Sequence, residues 1–190
     1  MERLWDPNRT ALVVIDLQRW IGNQYAPYSA EQVVSNAAAL AETFREQGSM
    51  VVLVRVSSKD MKDLPRPKLD SPAPPLNLTE GWDQIVPEMR VAETDHIITK
   101  KQWGAFYGTE LDLQLRRRGI DTIVLCGIAT EFGVDTTARE AFMHGYQLIL
   151  AIDAMTGFTE AGHEHVTNFI FPRIGRNRTT QDIISALSDS

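Results

Sequence analysis

An aspartate, a lysine and a glycine-bounded turn, each directly after an apolar run, are the residues of this chain best placed to do chemistry. Asp16 follows Ala11-Leu12-Val13-Val14-Ile15, and Lys100 follows His96-Ile97-Ile98-Thr99. The stretch Gly127-Ile128-Ala129-Thr130-Glu131-Phe132-Gly133-Val134 follows Ile123-Val124-Leu125-Cys126. A carboxyl beside an ammonium group in a partly desolvated pocket is an acid/base pair, and general acid/base catalysis by itself is worth about 10²–10⁴-fold. The lysine favours ionised Asp16 while burial favours the neutral acid, so the two push its pKa in opposite directions.

The elements that must position these groups alternate between strands and helices. Ala11 to Ile15 lacks polar alternation and reads as a strand buried on both faces. Ser29 caps a helix from Ala30 to Gln47, in which Val33, Ala37, Leu40, Ala41 and Phe44 recur at helical spacing, and Gly48 suits its exit. Met50 to Val56 is a second strand. From Ser57 to Thr79 the chain carries Pro65, Pro67, Pro72, Pro74 and Pro75 and reads as a long surface excursion. A strand from His96 to Thr99, a helix from about Thr109 to Arg118, the strand at Ile123 and a helix from about Glu131 to His144 follow. A strand from Gln147 to Ile152, a helix near Glu160 to Phe171, an extended piece near Arg176-Asn177-Arg178 and a helix from about Thr180 to Leu187 complete the pattern. This order predicts an α/β fold whose mostly parallel, six-stranded sheet is covered on both faces. In such a sheet the ligand crevice lies beyond the carboxyl ends of the strands, where the strand order reverses. Asp16, Lys100 and the turn from Gly127 to Gly133 all stand at those ends.

With 190 residues, 43% hydrophobic and 23% charged, the chain has the composition of one domain spanning 1–190. A net charge of −6 and the lack of a concentrated basic face exclude a nucleic-acid partner. The one basic run, Arg116-Arg117-Arg118, falls at a helix end, where cations favour the macrodipole. One cysteine allows no intrachain disulfide, and Met1 to Asp6 carries no apolar leader, so a cytoplasmic location is expected. No apolar stretch approaches the roughly 20 residues that span a bilayer, so no membrane partner is expected.

Taken together, the Gly127 to Val134 block, Asp16 within Val14-Ile15-Asp16-Leu17-Gln18, and Lys100 six residues before Phe106 in Lys100-Lys101-Gln102-Trp103-Gly104-Ala105-Phe106 resemble the isochorismatase-like hydrolase family. The resemblance runs over nearly the whole chain. It implies a three-layer α-β-α Rossmann-like fold, a small-molecule substrate, no cofactor and a homo-oligomer. In most members, the cysteine hydrolases, a Gly-x-x-Thr-x-x-Cys-Val stretch supplies a thiol at this turn; the Asp takes its proton, the Lys assists and the thiolate attacks a carbonyl. True isochorismatases carry glycine there, and so does this chain, at Gly133. The Gln102 to Thr109 segment resembles that of a subgroup without the thiol. In isochorismatases the Asp protonates an enol-pyruvyl ether and water completes its hydrolysis. The resemblance assigns Asp16 and Lys100 the catalytic roles, Lys100 being preferred to Lys101 for its spacing to Phe106 and its place directly after the strand. It also implies a cis peptide bond between Ile128 and Ala129, which would aim backbone N–H groups at a substrate oxygen.

Other residues are candidates for the substrate-binding wall: Gln18, Trp20 and Arg55 after the first two strands, Trp103 and Phe106 after the third, and Ile128, Ala129, Thr130, Phe132 and Gly133 in the turn. Arg55 reads either as a guanidinium that holds a substrate carboxylate bidentately or as half of a structural ion pair. Glu131 either reaches the pocket mouth or favours a helix N-terminus. Gly133 either makes room for substrate or serves a tight turn. Cys126, inside an apolar strand, reads as a small buried hydrophobe. No metal is expected, because Ser57-Ser58-Lys59-Asp60 stands where nicotinamidase relatives carry Asp-x-His, and His163 and His165, two apart on a helix, point in different directions. Two functions fit: a hydrolase without a covalent intermediate, or a catalytically silent binding or assembly protein on the same fold.

Overall fold

The computed structural model describes residues 6–22, 24–71 and 78–188. The leader reading at Met1 to Trp5 and the prolines at 72, 74 and 75 lie outside them. Six strands, β1 (Thr10–Ile15), β2 (Met50–Val56), β3 (His96–Lys100), β4 (Thr122–Ile128), β5 (Gln147–Thr156) and β6 (Arg176–Arg178), form one sheet in the order β3-β2-β1-β4-β5-β6. Every pairing is parallel, so the sheet predicted as mostly parallel is parallel throughout. β1 and β4 are buried along their whole length, as apolar runs without alternation require of central strands covered on both faces.

Helix α1 (Ala30–Glu46) starts at Ser29, whose hydroxyl accepts from the Gln32 N–H, and buries Val33, Ala37, Leu40, Ala41 and Phe44, the residues that its periodicity selects. With Ile183 and Leu187 of α5 (Thr180–Ser188) it packs a core with Leu12, Val14, Val124 and Cys126 on one face of the sheet. On the other face, α2 (Leu111–Arg117), α3 (Asp135–Met143) and the turns that follow α4 (Glu160–His165) close a second core over Val13, Ile15, Val54 and Leu125. Among the described residues no helix is long and apolar enough to cross a membrane. The basic run is engaged locally: the Arg116 guanidinium lies 4.2 Å from the Tyr146 ring centroid, and Arg118 donates to Gln114.

Three elements depart from the sequence reading. The helix expected from Glu131 opens instead as a π turn (Thr130–Val134), because the Ala129 carbonyl accepts from both the Phe132 and Val134 N–H groups, at 3.1 and 3.2 Å. The helix expected to reach Phe171 gives way after His165 to a π turn and then a 3₁₀ turn (Phe171–Arg173), where Pro172 has no N–H to continue the ladder. β4 and β5 run past Cys126 and Ile152 to pair Ile128 with Thr156, after a register shift between Leu125 and Gly127.

Gly127 lets β4 continue. Its φ is +119°, and a Cβ there would stand 2.6 Å from the Ile15 nitrogen and closer still to the Ile15 carbonyl oxygen. Only glycine allows both the backbone angle and this approach of β1 to β4. Gly127→Ala is expected to cost about 3 kcal/mol of stability from strain and overpacking, read as a lower midpoint in urea unfolding.

Candidate active site

The strand order reverses between β1 and β4, and the chain leaving both strands builds the site. At the end of β1, Asp16 takes φ +54°, in the left-handed region that a non-glycine residue seldom occupies. Its N–H donates to the Val54 carbonyl (3.0 Å) and its carbonyl accepts from the Gln18 N–H (2.9 Å). Lys100, the last residue of β3, lies two strands away, and its long stem brings Nζ to 2.8 Å from Asp16 Oδ2. Lys100 is 1% exposed and Asp16 7%. Nζ also donates to the Trp103 carbonyl. Asp16 Oδ1 is buried and makes no hydrogen bond. Burial pushes the Asp16 carboxyl up to about 6, against the opposing pull of Lys100.

The turn after β4 faces this pair. A Cβ on Gly133 would lie 3.1 Å from Lys100 Nζ and Ile15 Cγ2 and 3.3 Å from Asp16 Oδ2, so the Gly133 backbone packs close against both charged groups and a larger residue would crowd them. The Ile128–Ala129 peptide is cis. Thr130 is fully buried and its hydroxyl shares a 2.9 Å hydrogen bond with His163 Nδ1. Burial lowers the His163 pKa, with Glu131 opposing.

Four rings from four loops line up along the carboxyl edge of the sheet. Trp103 meets Phe132 edge-on at 4.9 Å, Phe132 meets Phe158 at 5.6 Å, and Phe158 meets Tyr25 at 5.4 Å. Trp103 remains 61% exposed and Phe158 half exposed. Trp20 is also exposed.

Other predicted wall residues are held elsewhere. Phe106 turns into the second core, its ring 5.0 Å from His144 and 5.7 Å from Tyr146. Gln18 is fully buried; its side-chain amide donates to the Val56 carbonyl and accepts from the Val56 N–H, both at 2.8 Å, so it clasps the end of β2. Arg55 pairs with Thr99 and Lys100 with Val56 in the β2/β3 register, and alternation therefore sends Arg55 to the face opposite Lys100. The Arg55 guanidinium donates to Thr99 Oγ1 (3.3 Å) and the Asp83 carbonyl (3.4 Å), neither of them a carboxylate. Glu131 stands in the first turn of the helical stretch that opens at Thr130, the second of its two expected places; there it accepts from the Phe158 N–H at 2.8 Å, against Gly157 and Gly162, and ties the β4 turn to the loop after β5.

Lys101, the neighbour that could be mistaken for the functional lysine, is 2.8 Å from Asp63 Oδ2 and donates to the Ser57 carbonyl, so it fastens the start of the excursion. Cys126 is buried in β4, and burial pushes its thiol far above the usual range. His163 and His165 diverge, one to Thr130 and the other onto the Phe169 ring. Among the described residues no group of three or more His, Cys, Asp or Glu could hold a metal ion. A groove of about 960 Å³ runs along the outside of α1 between Glu31, Glu42, Arg45 and Glu88, and none of the candidate residues lines it.

Sequence reasoning missed Tyr25, Phe158, Thr137 and Glu140. The first two stand on irregular loops with no local signal. Thr137 and Glu140 had one: they lie four and seven residues after Gly133, on the same helical face.

Comparison with known proteins agrees with this architecture. A model described as "Isochorismatase domain" matches residues 10–182. The chain is 50% identical over 182 residues, covering 94% of both chains, to the uncharacterized isochorismatase family protein YwoC of Bacillus subtilis (strain 168). It is 47% identical over 180 residues to the uncharacterized isochorismatase family protein YecD of Escherichia coli O157:H7, covering 94% of this chain and 96% of that one. The solved structure of an isochorismatase family protein from Burkholderia thailandensis superposes with a TM-score of 0.90 at 39% identity and covers 97% of each chain. A parallel sheet with an acidic and a basic group meeting at its switch point, and a family model matched from the first strand into the last helix, place this chain in the isochorismatase family.

Proposed function

We propose that the protein hydrolyses a small organic molecule by acid/base chemistry, with Asp16 as the proton donor and Lys100 as its electrostatic partner, and with no covalent intermediate. The observation that carries this reading is the Asp16 carboxyl itself. One oxygen is held by Lys100 at 2.8 Å, the other is buried without a partner, and Gly133, which has no side chain, packs close against Lys100 Nζ and Asp16 Oδ2. A carboxyl raised to about 6 holds an appreciable fraction of transferable proton near neutral pH. Position 133 carries no thiol, and Cys126 is sealed in a central strand, so a thiol-based acyl-enzyme route has no nucleophile.

The chemistry that fits is hydrolysis of an enol ether. Asp16 gives its proton to the terminal carbon of the double bond, and positive charge develops on the carbon that bears the ether oxygen. Water adds to that carbon, and one of its protons returns to the Asp16 carboxylate. The hemiketal then breaks its bond to the alkoxy group, which leaves as an alcohol with the remaining proton, and the other fragment leaves as a ketone. Throughout, Lys100 stabilises the carboxylate left by the first proton transfer. The aromatic row from Trp103 to Tyr25 suits a flat, unsaturated substrate body.

A hydrolysis screen over enol ethers, amides and ureas tests the proposal. Turnover of an enol ether is expected, with a rate that falls about tenfold per pH unit above about pH 6, because only protonated Asp16 donates. Asp16→Asn is expected to lose about 10²–10⁴-fold. A flat screen together with tight binding of a metabolite would instead establish a silent binding protein. In a separate test, Gly133→Cys places a thiol against Lys100 and Asp16. Its alkylation by iodoacetamide at pH 7 is expected to run about tenfold faster than that of an ordinary exposed cysteine. Labelling at the ordinary rate would show that the three segments do not share one pocket.

A further inference from the structure

Lys100 reaches Asp16 as one end of a hydrogen-bonded chain whose other end is in α3. Its second partner, the Trp103 carbonyl, belongs to an irregular segment with no strand or helix ladder of its own. That segment is fastened from outside. The Ala105 N–H donates to Thr137 Oγ1 at 3.2 Å, and the Phe106 N–H donates to Glu140 Oε2 at 3.0 Å. The Thr137 hydroxyl in turn donates to the Gly133 carbonyl at 2.6 Å. Thr137 therefore uses its proton on the turn and its lone pair on the lysine's segment, and joins the two walls of the site in a fully dry setting. Gly104 completes the fit, since a Cβ there would fall within the Glu140 carboxylate.

We infer that Thr137 and Glu140 are positioning residues that hold Lys100 against Asp16 through the segment from Trp103 to Phe106. Neither touches the charged pair. Their effect is to set where the Trp103 carbonyl sits, and with it where the Lys100 ammonium comes to rest. The inference takes from the proposed function only that Asp16 and Lys100 are the working pair, and its test requires no turnover.

Lys100 is the charged group that acts on Asp16, so the Asp16 titration reports their separation. Carboxyl carbon NMR of the full chain would follow it. Thr137→Val keeps the shape and removes the hydroxyl. It is expected to raise the Asp16 midpoint by about one pH unit as the ammonium moves from 2.8 to about 4 Å. Thr137→Ser is expected to restore the wild-type value. Glu140→Ala, which strips the acceptor from the Phe106 N–H, is expected to move the midpoint the same way, and it carries the test alone if Thr137→Val does not fold. An unchanged midpoint in a folded variant overturns the inference, as does a serine variant that shifts as far as the valine one. Either failure leaves the hydrolase reading standing, and a flat substrate screen leaves the positioning reading standing.

Discussion

The contact between Asp16 and Lys100 sets the terms for the rest of the molecule. Both groups are taken almost entirely out of water, and removing an ammonium and a carboxylate from water costs several kcal/mol each. Their mutual attraction offsets that cost only at short range and in good geometry, so the fold must hold two residues 84 apart in sequence at 2.8 Å. It does so with the stiffest parts available: the ends of two strands in an all-parallel sheet, a left-handed turn at Asp16, and a backbone carbonyl that accepts the lysine's second hydrogen bond.

That constraint reaches outward through the neighbouring elements. Lys100 must pass the end of β2, and Gln18 pins that end by pairing its side-chain amide with the Val56 backbone. The β4 turn must approach without crowding the pair, which calls for glycine at 127, where β4 lies against β1, and at 133, where a Cβ would stand 3.1 Å from Lys100 Nζ. The turn is then anchored from behind on three sides: Thr137 on the Gly133 carbonyl, His163 on the Thr130 hydroxyl, and Glu131 on the Phe158 N–H. What reaches solvent is the aromatic row, whose exposed rings stand beside the turns that carry the buried charged pair.

Much of the fold was legible because buried parallel strands announce themselves as apolar runs without alternation, and α1 as a helical stripe between a serine cap and a glycine exit. Asp16, Lys100 and the Gly127 to Gly133 turn were legible as a set for the same reason, each standing at the end of such a run. The wall was read less well. Phe106 turns into the second core, and Arg55 faces away from Lys100. In each case the residue's position along the chain was read correctly and its direction was not. Direction follows from strand register and from contacts with segments distant in sequence, and neither is written locally. The π turn at Thr130 escaped for a related reason: it depends on one carbonyl, that of Ala129, accepting two donors.

By itself the sequence determined the order of elements, the residues that arrive at the carboxyl edge of the sheet, and the lack of a thiol at position 133, because these depend on residue type and short-range periodicity. Spacing and place after the strand favoured Lys100 over Lys101, but only the tertiary structure decided the partner that each lysine meets. Lys100 ends β3 and meets Asp16, whereas Lys101 lies just past the strand and meets Asp63. The tertiary structure also decided the state of Asp16, since the balance between burial and a neighbouring charge is set by distances in ångströms that no sequence carries.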